Sequence, residues 1–180
     1  MLVGIKPLGA KMDAIGLLLF ILPSYVANSS PVILGGGRPV DLGCKLWDGR
    51  RLFGDGKTLR GLAAGIAAGT VAGYLLAFAG LGTTTTLDFN SRFAVGLLLS
   101  VGTMAGDLLG SFTKRRMSIE RGAQHEFFDQ LLFLGVALLF AAPFYLPAPE
   151  EIVFLFAVTY VLHKMTNLIA HKLKLKSVPW

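Results

Sequence analysis

Asp107 and Asp129 bracket a strongly cationic stretch of this 180-residue chain, and few other residues are so placed to do chemistry. Asp107 lies in an apolar run, Gly106-Asp107-Leu108-Leu109-Gly110-Ser111-Phe112, that ends in Lys114, Arg115 and Arg116. Asp129 opens the next apolar run. A carboxylate within hydrocarbon is costly unless a cation or metal partners it, so such residues are usually functional. Two carboxylates framing a basic loop suit a Mg²⁺-dependent enzyme acting on phosphates.

A second segment offers anion-binding chemistry: Phe53-Gly54-Asp55-Gly56-Lys57-Thr58-Leu59-Arg60-Gly61. Gly56-Lys57-Thr58 is similar to the end of a P-loop, but the required first glycine falls at Arg51 and no strand precedes it. What remains is a flexible loop carrying Asp55, Lys57, Thr58 and Arg60 into a helix start, where free N–H groups favour an anion. The plainer reading is a solvated basic loop. The Lys114–Arg116 trio likewise reads equally as a phosphate clamp or as the stop signal of a helix. Cys44 is the single cysteine, so no intrachain disulfide exists, and His125, His163 and His171 lack zinc-site spacing.

These residues must be positioned by a membrane framework. The chain is 53% hydrophobic, 16% charged and has a mean hydropathy of +0.62; soluble domains carry about a quarter charged residues. Five apolar stretches approach the roughly 20 residues a spanning helix needs: Ala14–Leu34, Gly61–Leu81, Arg92–Phe112, Leu131–Leu146 and Ile152–His171. The expectation is an all-α integral membrane protein of about five transmembrane helices, one catalytic domain over residues 1–180, with a polar cavity facing the cytoplasm. Fourteen of the 17 basic residues fall in the loops at about 35–60 and 113–130 and at the C-terminal end. By the positive-inside rule these are cytoplasmic, with the N-terminus outside and the C-terminus inside the cell membrane. Basic, aromatic-interleaved soluble segments are missing, which argues against nucleic acid as partner.

Depth and helical phase bring further groups together. Asn28 and Asp107 each lie some six residues from the expected cytoplasmic ends of their helices, roughly 8–9 Å below the interface. Thr103, Asp107, Ser111 and Arg115 share one helical face, as do Tyr160, Lys164, Asn167 and His171. Either stripe could instead be an interhelical hydrogen-bond seam. Pro23 and Pro31 are expected to bend or break the first helix, and Gly61, Ala64, Ala68, Gly69 and Gly73 suggest close packing of the second.

Gly106-Asp107-Leu108, Ser111, Lys114-Arg115 and the distal Asp129 resemble, in order, the signature of the membrane CTP:phosphatidate cytidylyltransferases. Glu120-Arg121 and Gly122-Ala123-Gln124-His125-Glu126 stand where that family has Lys-Asp and a glycine-rich turn. Those departures, together with Phe53–Gly61 and five spans, are similar to the family's archaeal branch, the CDP-archaeol synthases. The resemblance implies magnesium and transfer of a cytidylyl group from CTP to 2,3-di-O-geranylgeranylglycerol 1-phosphate, an isoprenoid lipid, among the membrane lipids. It places Asp107 and Asp129 as metal ligands and Lys114 as a catalytic cation. Arg115 and Arg116 would bind phosphate, Lys57, Thr58 and Arg60 with Asp55 would clamp the triphosphate, and Asn28 and Ser111 would position phosphate or water. The rival reading is a small transporter or channel with Asp107 as its ion or proton site, although repeat symmetry and paired half-helices are missing. The residues set no oligomeric state.

Overall fold

The computed structural model describes residues 11–83, 87–119 and 126–172, with backbone alone at 126–130, 166, 167, 169 and 170. The regular elements among the described residues are all helices: α1 Ala14–Leu34, α2 Leu59–Phe78, α3 Phe89–Arg116, α4 Glu126–Ala141 and α5 Pro149–Lys172. Among the described residues α1, α2 and α3 are long and apolar enough to cross a membrane, while α4 carries a shorter apolar stretch, Leu131–Ala141. Five helices therefore stand where five spans were expected, with three of them of clear spanning length.

Local signals explain the boundaries. Asp13, Thr58 and Asp88 cap α1, α2 and α3, each accepting a backbone N–H of the first turn, which satisfies donors a helix start leaves free. Expected to end at Phe112, α3 runs one turn further, because Lys114, Arg115 and Arg116 are good helix formers and sit favourably at the negative end of the helix dipole. Expected to run to Leu146, α4 stops at Ala141, shortly before Pro143, as the residue ahead of a proline avoids helical geometry. Pro149 occupies the first position of α5, where its missing N–H costs nothing.

Of the bend or break expected at the prolines, there is no break: α1 continues through both Pro23 and Pro31. The carbonyls they release, Leu19 O and Ala27 O, face glycines. A Cβ built on Gly82 would lie 3.1 Å from Leu19 O, and one on Gly65 would lie 2.8 Å from Ala27 O.

Close approach is the rule along α2. Gly61, Gly65, Gly69 and Gly73 recur every four residues and are all buried. A Cβ at Gly69 would fall 2.4 Å from Ser100 Oγ and 2.7 Å from Pro23 O, and one at Gly73 would fall 2.6 Å from Gly96 Cα. This edge lets α2 lie against α1 and α3 backbone to backbone, as small residues allow in membranes. Gly102 and Gly106 do the same for α3 against Ala137 and Phe133 of α4. The apolar core joins Leu17, Phe20 and Ile21 of α1, Val95 and Leu99 of α3, Phe133, Leu134 and Leu138 of α4, and Leu155 of α5. Tyr25 of α1 and Thr159 of α5 share a 2.8 Å hydrogen bond.

Candidate active site

Between α1 and α2 lies loop 1, residues 35–58, and it is folded rather than slack. Its two ends pair: Val40 N donates to Lys57 O at 2.7 Å and Leu59 N to Arg38 O at 3.0 Å. Further out, Leu46 N donates to Arg50 O at 3.0 Å and Leu52 N to Cys44 O at 3.1 Å, closing a second small hairpin. Asp41 sits between the two pairings with a fully buried side chain. Its carboxylate accepts Nε and Nη2 of Arg51 and the backbone N–H groups of Gly43, Phe53 and Gly54. The Arg51 guanidinium, aided by those backbone donors, holds the Asp41 carboxyl well below the usual carboxylate range.

Loop 1 is latched to the end of α3. Arg116 donates from Nη1 to Asp48 Oδ1 at 2.7 Å and from Nη2 to Arg51 O at 2.6 Å. Arg50 reciprocates, donating to Arg116 O at 3.1 Å. Arg115 passes close to Gly54, where an added Cβ would meet its Cδ at 3.9 Å.

Under this latch opens a cleft of about 380 Å³, counting the solvent at its mouth, walled by Gly56, Lys57 and Thr58 of loop 1, Gly61 of α2, Met104 and Asp107 of α3 and Pro31 of α1. Lys57 Nζ crosses it and donates to both carboxylate oxygens of Asp107 at 2.6 Å. Both side chains are about three-quarters buried, at 28% and 25% exposed. Because α3 extends to Arg116, Asp107 lies about 14 Å below the helix end, deeper than the sequence implied. Loop 1 must fold down over α3 for Lys57 to reach it. Thr58 Oγ1 also caps α2, accepting Gly61 N at 3.1 Å and Gly36 N at 3.2 Å.

Of the residues singled out from sequence, Lys57, Thr58 and Asp107 meet at this cleft. Arg60 is exposed at the first turn of α2, and Asp55 is exposed and paired with Arg51 at 2.8 Å. Ser111 is buried one turn beyond Asp107, and Asn28 is half-buried on α1. Lys114 and Arg115 are half-buried near the end of α3, and Arg116 is engaged by the latch. Asp129 belongs to the first turn of α4, but its side chain, like that of Asn167, lies outside the described residues. Asp41 and Asp48 were not anticipated. The only hint in the sequence was an unusual density of Asp, Gly and Arg between residues 41 and 55.

Comparison with known proteins gives a consistent result. The family described as CarS-like: CDP-archaeol synthase matches residues 13–180. The chain is 48% identical over 163 residues to the CDP-archaeol synthase of Pyrococcus abyssi, covering 89% of this chain and 95% of the relative. It is 46% identical to that of Methanopyrus kandleri, covering 91% of each. A solved structure described as "Structural insight into an intramembrane enzyme for archaeal membrane lipids biosynthesis" superposes with a TM-score of 0.78 at 41% identity, covering 88% of this chain and 98% of that one.

Proposed function

The chain belongs to the CarS-like CDP-archaeol synthase family, and we propose that it joins CTP to an isoprenoid glycerol phosphate in the cleft between loop 1 and α3. It is a nucleotidyltransferase of membrane lipid biosynthesis, which decides against the transporter alternative. The observation that carries the cleft assignment is the Lys57–Asp107 pair, a cation and an anion from distant segments held 2.6 Å apart at one wall.

In the proposed reaction an anionic oxygen of 2,3-di-O-geranylgeranylglycerol 1-phosphate attacks the α-phosphorus of CTP. A new P–O bond forms, the bond to the β-phosphate breaks, and pyrophosphate leaves with the bond's electron pair. The nucleophile is already ionised near neutral pH, so the protein's task is to align two anions and offset their repulsion. Lys57 would leave Asp107 and bind the triphosphate. The start of α2, with Thr58 and nearby Arg60, would receive phosphate oxygens at its positive end. Lys114 and Arg115 would add positive charge from α3. Arg116 would serve mainly by keeping loop 1 in place. Exposed Val32, Ile33 and Leu34 follow Pro31 of the cleft wall and offer an apolar approach for the lipid tails.

Magnesium suits this donor set as a companion of the nucleotide. Among the described residues no group of three or more His, Cys, Asp or Glu could hold a metal, and Asp41 is consumed by Arg51 and three backbone donors. Asp107 can supply one carboxylate, and Mg²⁺ takes one or two carboxylates with phosphate oxygens and water. Asp107 would hold it, with Asp129 as the proposed second ligand, and its chemistry there is to neutralise phosphate charge. The cationic side formed by loop 1 and the end of α3 would face the cytoplasm.

The test is CTP- and Mg²⁺-dependent formation of CDP-lipid from geranylgeranylated glycerol phosphate in detergent, wild type beside Asp107→Asn. The expected result is activity in the wild type and a loss of about a thousandfold or more in a folded variant. Equal turnover by both proteins would remove Asp107 from the mechanism.

A further inference from the structure

Asp41 is fully buried, ionised and absent from the chemistry just described, yet it makes more hydrogen bonds than any other acid described in loop 1. We propose that Asp41 is a positioning residue that sets the reach of Lys57 into the cleft, so that the affinity for the nucleoside triphosphate depends on a carboxylate that never touches it. This rests on the reading of Lys57 as a triphosphate ligand.

The bonds form a closed circuit around Lys57. On one side Val40 N holds Lys57 O at 2.7 Å, and Asp41 is the next residue after Val40. On the other side Asp41 Oδ2 accepts Phe53 N and Gly54 N at 3.0 Å each, and Gly54 O accepts Lys57 N at 3.3 Å. The backbone of Lys57 is thus bonded at both its N–H and its C=O to segments that Asp41 ties together. Gly54 adopts a positive φ of 89°, bending the chain at the point where the carboxylate grips it. Arg51 neutralises the carboxylate and also binds exposed Asp55 at 2.8 Å, pinning the turn between Gly54 and Lys57 from outside.

Two alternatives for Asp41 fail on the geometry. It is not a metal ligand in waiting, because both oxygens are occupied by Arg51 and backbone donors. It is not a surface ion pair, because nothing of its side chain reaches solvent. A lysine on a slack loop would still find Asp107 some of the time. A lysine on a braced loop is already aimed, and the cost of ordering it has been met before the ligand arrives. A misplacement near 1 Å in such a site costs about a hundredfold.

A double-mutant cycle tests the idea on the full-length protein in nanodiscs, using CTP with Mg²⁺ as the probe. Binding is measured by calorimetry, with Michaelis constants for CTP and for the lipid phosphate measured alongside. Asp41→Asn keeps the shape and loses the charge; should it not fold, Arg51→Lys is the milder probe of the same clasp. With Lys57 intact, either change is expected to weaken CTP binding about 10- to 100-fold and leave the lipid Michaelis constant within about twofold. In a Lys57→Ala background the same change should alter CTP binding by less than about twofold, because its effect travels through Lys57. Equal effects in both backgrounds, or no effect with Lys57 intact, would overturn the proposal. A Lys57→Ala variant that binds CTP like the wild type would overturn the reading of the site itself, a distinct and separately visible outcome.

Discussion

Exchanging the two charges of the central pair separates a catalytic role from a structural clip. At 2.6 Å, two unit charges in an effective dielectric of about 20 attract by roughly 6 kcal/mol. Desolvation of two groups that are each about three-quarters buried cancels most of that, leaving about 1–3 kcal/mol net. Lys57→Asp alone sets two carboxylates face to face and is expected to lower Tm by about 3–10 °C in a chain of this size. Adding Asp107→Lys restores opposite charges and should recover at least half of that loss, since the longer lysine now reaches from α3. Turnover should not recover. On the proposed metal role of Asp107, a cation at that position would leave α3 without a ligand for the magnesium that accompanies the triphosphate, and activity should stay down about a thousandfold or more. The assay pairs melting followed by tryptophan fluorescence with CDP-lipid formation. A double variant that regains both Tm and turnover would refute the catalytic reading, and one that regains neither would refute the pair as drawn.

Other consequences are open to measurement. Arg116→Ala removes the 2.7 Å bond to Asp48 and the 2.6 Å bond to Arg51 O; loop 1 should detach from α3, seen as faster tryptic cleavage within residues 38–51 at a cost of about 1–2 kcal/mol in stability. Gly73→Leu drives a side chain into the backbone of Gly96, only 2.6 Å from the new Cβ, and should cost about 1–3 kcal/mol or more by thermal melting. The pH dependence follows from the depressed carboxyl of Asp41. A lowered folded pKa gives stability that is fully present above the unfolded value of about 3.9 and is lost as pH falls towards the folded value. The stability gap between wild type and Asp41→Asn should therefore be constant from pH 7 to about pH 5 and shrink below about pH 4; a gap that widens on acidification would contradict the assignment.

The helices were readable because each has a local cause. α1 matches its expected bounds since Asp13 caps a mainly apolar run free of charged residues and glycines follow it. Where bounds were missed, a competing local rule won: cations continued α3, and Pro143 cut α4 short. Asp107 and Lys57 were both visible as chemistry, one by its apolar surroundings and the other by its glycine-rich setting. That they meet was not visible, since 50 residues separate them and no periodicity encodes how loop 1 folds back. Asp41 was missed for the same reason. Its partners at Arg51, Phe53 and Gly54 are chosen by a two-hairpin loop whose turns follow no repeat, so nothing in the local sequence distinguishes it from a solvated acid. How α1 carries both prolines without breaking was not visible either, because the glycines opposite the released carbonyls lie on other elements, at Gly65 and Gly82.

The glycine edge of α2 has a mechanical meaning. A shaft seated on four bare positions can turn only by swinging a neighbouring row of side chains, Leu62, Ile66, Thr70 and Tyr74 or Arg60, Ala64, Ala68 and Ala72, into backbones already at contact distance. Sliding lengthwise meets the same obstruction until a full turn has passed. α2 is therefore keyed, like a spindle in a slot, and the end bearing Thr58 is a stationary anvil within the cleft. With loop 1 braced as well, the travel needed to admit and release substrates at the proposed site would fall to the side chain of Lys57, swinging between Asp107 and the cleft.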